Sequence, residues 1–154
     1  MNKLRRSYEA RVLLVPLGHT ATQLTEQMAG LGLDGITMLA TAGNTVDVRP
    51  LASADMVVLL AADLTEVSES VCLAVSRAAE ANGVLTAALI VGSDHEDAAQ
   101  GGPAMAALRK AVDMLVIVRH VRLATSFLDV LRGGARDDPD SLAQAEPLSL
   151  PVRS

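Results

Sequence analysis

The feature that most constrains this chain is an alternation of two kinds of apolar segment. Five short runs are almost continuously apolar: Arg11 to Leu17, Ile36 to Ala40, Met56 to Ala61, Val84 to Val91 and Met114 to Val118. Runs of that length, rich in branched residues, suit parallel strands buried on both faces. Between them lie segments whose apolar residues recur at helical spacing, Thr20 to Leu31 (Leu24, Met28, Leu31) and Val67 to Ala81 (Val71, Val75, Ala78). Ala104 to Val112 and Leu123 to Leu131 complete the helical set. Asn82-Gly83 marks a helix stop, Gly30, Gly32 and Gly133-Gly134 mark others, and Pro103 suits a helix start. This order predicts a doubly wound α/β domain, with about five mainly parallel strands and helices on both faces.

Composition agrees with that architecture. Half of the 154 residues are hydrophobic but only 1% are aromatic, so the core is built from Ala, Val, Leu, Ile and Met. The six methionines read as core filler. A net charge of −5 argues against nucleic-acid or anionic-membrane partners, which need clustered positive charge. No apolar run reaches the roughly 18 residues of a membrane span. The basic start, Met1 to Arg6, is not followed by the apolar core of an export signal, so the expected location is the cytoplasm. Residues 1–10 form an N-terminal arm and 11–134 the domain. Residues 135–154 are acidic and proline-containing, and read as a flexible tail.

Two stretches carry a resemblance. The segment from Ala54-Asp55-Met56-Val57-Val58 through Gly83-Val84-Leu85-Thr86 resembles the stretch of the tubulin/FtsZ family that runs from its "ADMV" strand to its "G-I-L-T" strand. Ala107 to Val118, containing Val112-Asp113-Met114-Leu115, is similar to the family's following helix and strand, and Arg122-Leu123 falls at its "N-D-R/K-L" segment. The first strand and helix, Val12 to Met28, resemble the family's opening unit more loosely, so the resemblance covers roughly residues 11 to 132 and implies a nucleotide-domain fold.

The departures concern the phosphate loops. Where the family has a glycine-rich first loop, this chain reads Pro16-Leu17-Gly18-His19-Thr20-Ala21-Thr22, with one glycine. Where the family has G-G-G-T-G-T/S-G, it reads Leu64-Thr65-Glu66-Val67-Ser68-Glu69-Ser70, with none. Glycine is needed in such loops because a side chain would block backbone N–H groups from the phosphates. Asp63, Glu66 and Glu69 put carboxylates where a triphosphate needs donors. The family's long central helix and hydrolysis-activating loop would follow Gly134, and no match to them is found there. The resemblance therefore implies a truncated, degenerate relative with no catalytic residues and no cofactor, which acts through a protein partner or as a homo-oligomer. A GTP-binding, self-assembling protein is the alternative. A small enzyme using His19 and nearby acids is a third.

His19 is a candidate phosphate donor or acid/base at the carboxyl end of the first strand, against a helix cap or solvent-facing role. Thr20 and Thr22 read as N-caps, and Glu66 and Glu69 as residues opposing the dipole of their own helix. Asp94-His95-Glu96-Asp97 has metal-type side chains, but adjacent loop residues seldom close a metal site without ligands from elsewhere. His120, between Arg119 and Arg122, reads as a solvated strand end. Cys72, the single cysteine, reads as a buried inert thiol. The expected contact faces are the helices Val67 to Ala81 and Leu123 to Leu131.

Overall fold

The structure, a computed structural model, describes residues 10–39, 41–92 and 102–133. In chain order the elements are β1 (Val12–Pro16), α1 (His19–Gly30), β2 (Thr37–Met38), β3 (Thr41–Ala42), β4 (Thr45–Val46), β5 (Met56–Ala61), α2 (Glu69–Asn82), β6 (Leu85–Val91), α3 (Gly102–Ala111), β7 (Met114–Val118) and α4 (Val121–Leu131). Two 3-10 turns, Arg49–Ser53 and Leu64–Glu66, precede β5 and α2. The main sheet has five strands in the order β2-β1-β5-β6-β7, and every neighbouring pair is parallel. This is the doubly wound, Rossmann-like arrangement that the alternating apolar runs predict.

Both faces of the sheet are covered, which is why its strands are apolar at successive positions. Leu13, Val15, Val57, Leu59, Ala88 and Ile90 face α2 and α3, where they meet Val71, Val75, Met105 and Leu108. Val12, Leu14, Val58, Leu60, Ala87 and Leu89 face the other way, against Ala21 and Met28 of α1 and Ala124 and Leu128 of α4. Alanine at 87 and 88 lets helices approach the centre of the sheet, and aliphatic packing replaces the missing aromatics.

Two aspartates pin the strand register at the amino ends. Asp55 accepts from the Arg11 backbone N–H at 2.8 Å, while its own N–H donates to the Arg11 carbonyl at 2.9 Å. Asp113 accepts from both the N–H and the hydroxyl of Thr86, at 3.0 and 3.1 Å. The Asp113 N–H in turn lies 3.0 Å from the Thr86 carbonyl and 3.1 Å from its hydroxyl. Among the described residues Thr86 is the buried polar residue of the core, and this exchange satisfies it. The Asp-Met-Val and Val-Asp-Met-Leu strings thus have a structural use in this chain.

Several boundaries differ from the sequence reading. The second strand shrinks from Ile36–Ala40 to Thr37–Met38, both exposed, because it is an edge strand with one partner; Ala40 lies outside the described residues. Leu31, expected on the buried face of the first helix, lies just past its end and is exposed. The segment expected to be a plain loop before β5 contains the β3–β4 hairpin, turned at Gly43-Asn44, and the turn that buries Leu51. At Gly83 the backbone takes the left-handed conformation (φ 68°, ψ 31°), and the Val84 N–H returns to the Ala79 carbonyl at 2.8 Å, as a glycine-capped helix end requires. Arg132 closes the opposite corner, pairing with Asp129 at 2.7 Å and Asp34 at 3.3 Å. Gly134, the Asp94–Asp97 cluster, the N-terminal arm through residue 9 and the tail lie outside the described residues.

Candidate functional site

In a doubly wound sheet the ligand crevice lies at the carboxyl ends of the strands, where successive crossovers leave in opposite directions. Here β1 leads through α1 to β2 on one side, and the chain then crosses to β5 on the other. The crevice therefore opens above β1 and β5, between the start of α1 on one face and the start of α2 on the other. It measures about 380 Å3 and is lined by Gly18, His19, Thr22, Thr41, Glu66 and Ser68, among others.

Its central feature is Glu66. One carboxylate oxygen accepts the Thr20 backbone N–H at 2.9 Å, and the other accepts the Thr20 hydroxyl at 3.2 Å. Glu66 thus satisfies a free donor in the first turn of α1 and puts a negative charge against the positive end of its dipole. The sequence reading is corrected in two respects. Neither Thr20 nor Thr22 is the N-cap: Gly18 holds that position without a side-chain acceptor, and the Thr22 hydroxyl donates to the Gly18 carbonyl at 2.9 Å. Nor does Glu66 serve its own helix. It sits in the 3-10 turn before α2 and reaches across to α1.

The loop that carries Glu66 is tied by local hydrogen bonds. Asp63 accepts from the Thr65 N–H (3.0 Å) and hydroxyl (2.7 Å), and these bonds lower the Asp63 pKa. Leu64 and Val67 are half-buried and pack against the core, where a glycine loop would have no side chains to do so. Ser68 is the N-cap of α2, accepting the Val71 N–H at 3.3 Å, and its hydroxyl donates to the Asn44 side-chain oxygen of the hairpin at 3.2 Å. Glu69 falls in the first turn of α2, where its charge opposes that helix's dipole; Glu69 and Ser70 are exposed.

Gly18 is shaped around the same carboxylate. Its φ is +101° and ψ 174°, a conformation that essentially only glycine adopts. A Cβ there would lie 2.4 Å from the Glu66 Cβ and 2.6 Å from its Oε1. The close approach that this glycine allows is made by Glu66 of the same chain.

The remaining candidates are less organised. His19 and His120 are exposed, as are Arg119 and Arg122. Among the described residues, no three His, Cys, Asp or Glu side chains group as metal ligands, and no helix is long and apolar enough to cross a membrane. Cys72 is 1% exposed, and burial, helped by Glu69, pushes its thiol up to about 11. Position near the start of a helix would lower that value, but burial outweighs it. In the unfolded chain the thiol ionises near 9, so its contribution to stability is complete below that pH and is lost as pH rises toward 11. The wild-type chain should therefore lose stability over this window relative to Cys72→Ala. Urea unfolding at stepped alkaline pH measures the difference, and parallel curves for the two proteins would contradict it.

The fold is a Rossmann-like α/β domain, and at its crevice the amino end of α1 is met by the chain's own glutamate. Compared with models of known families and with curated proteins, the chain matches none.

Proposed function

We propose that this chain is a non-catalytic relative of the tubulin/FtsZ nucleotide domain, acting as a scaffold, accessory subunit or regulator through protein contacts, without binding or hydrolysing GTP. The observation that carries this reading is the Glu66 carboxylate on the amino end of α1. Phosphates bind such a position through free N–H groups and the helix dipole. Glu66 already uses the Thr20 N–H, and its charge would face the incoming phosphate. Two like charges about 4 Å apart repel by roughly 4 kcal/mol at an effective dielectric near 20. Leu64 and Val67 on either side of it pack against the core and hold the backbone of this turn beside Gly18.

A role in protein contact draws support from apolar side chains left on the helices. Leu73 of α2 and Leu123 and Val130 of α4 are each about half exposed (50, 52 and 53%). Leu123 and Val130, seven residues apart, share one face of α4. These are the two helices expected from the sequence to carry contacts, and a cytoplasmic location accords with the proposal. Light scattering at micromolar concentration, with and without GTP and magnesium, tests it. The expected result is an assembly state that GTP does not change. Long polymers formed only on GTP addition would contradict it and favour the GTP-binding alternative.

A further inference from the structure

We propose that the face formed by α2 and α3 binds a second copy of this chain through a two-fold, self-complementary contact; this rests on the protein-contact reading above and names the partner. A groove of about 280 Å3 runs between the two helices. Small buried residues, Cys72, Ala107 and Ala111, form its floor, so it is hollow where larger side chains would fill it. Leu73 stands at its rim, half exposed. Glu69 on α2 and Lys110 on α3 line the same groove with opposite charges. Among the described residues, neither takes part in an ion pair.

That combination selects the occupant. A two-fold axis over the groove lays α2 of one copy against α3 of the other. Leu73 of each copy then enters the small-residue floor of its mate. Glu69 of each copy meets Lys110 of the other, so the charge pair forms twice. Knob, hollow and both charges lie on one surface and are matched by that same surface. An unlike partner would have to supply the complement of all four.

Sedimentation equilibrium of the full chain tests this contact. The wild-type protein should sediment as a dimer, and Leu73→Glu as a monomer with an unchanged thermal midpoint, since Leu73 contributes little to the core. Glu69→Lys alone and Lys110→Glu alone should each raise the dimer dissociation constant about tenfold or more, because each sets like charges together twice. The double variant Glu69→Lys/Lys110→Glu should restore it. A monomeric wild type, a dimer indifferent to Leu73→Glu, or a double variant no tighter than the singles would each overturn the proposal. Those results leave the non-nucleotide reading standing, whereas assembly that requires GTP defeats that reading whatever the state of this interface.

Discussion

Replacing Gly18 with alanine is expected to lower the unfolding free energy by about 3 kcal/mol, since strained backbone of this kind costs roughly 1–3 kcal/mol before any steric conflict. The conflict here is severe, because the new Cβ would meet the Glu66 Cβ at 2.4 Å. Glu66 cannot simply rotate away, for the nearest atom is its own Cβ, fixed by the backbone between Leu64 and Val67, which pack against the core. Urea denaturation should show the loss. A second variant separates strain from collision: in a Glu66→Gly background the Gly18→Ala cost should fall by about 1 kcal/mol or more, a coupling expected only of residues in contact. Equal costs in the two backgrounds would mean that the glutamate does not sit on Gly18.

The second large effect is at the opposite end of the sheet. Asp113→Ala removes the acceptor for both the N–H and the hydroxyl of Thr86, which is 6% exposed. Leaving buried donors without a partner costs about 1–3 kcal/mol, and two donors on one residue put the expectation near 2 kcal/mol. Asp113→Asn, which keeps one acceptor oxygen, should lose less than half as much. Urea unfolding of the two variants measures this. A loss below about 0.5 kcal/mol for Asp113→Ala would show that water replaces the carboxylate and that the strand register has other supports.

The sequence was most informative where the local pattern is unbroken. Met56–Ala61 and Met114–Val118 are strands from end to end as expected, because both are uninterrupted apolar runs bounded by an aspartate that accepts from the neighbouring strand, although only the first is buried and the second is a half-buried edge strand. Gly83 ends α2 because the cap conformation favours glycine, a local demand visible in Asn82-Gly83. The β3–β4 hairpin escaped because two-residue strands carry no alternation; Gly43-Asn44, a turn-forming pair between Thr41-Ala42 and Thr45-Val46, was the available signal. The second strand was overestimated because Ile36, Met38 and Leu39 look like a buried run, although Thr37 and Met38 lie exposed at the sheet edge.

The site was legible in composition but not in geometry. The missing glycines of Leu64 to Ser70 and the carboxylates among them were plain from the sequence. What Glu66 does with its charge was not, since its partner Thr20 lies 46 residues away. One clue existed. Gly18-His19 opens a helix with no acceptor at the cap and no acidic residue in the first turn, which leaves its free N–H groups to water, a ligand or a side chain distant in sequence. Asp55 and Asp113 were visible as motif residues, yet their use as register pins depends on which strands become neighbours.

The central claim is that Glu66 closes the crevice against a nucleotide. Calorimetric titration of the full chain with GTP and magnesium tests it most directly. The account predicts no saturable heat corresponding to a Kd tighter than about 10 μM, or roughly 7 kcal/mol of binding. A stoichiometric one-site isotherm with a Kd below that value would contradict it.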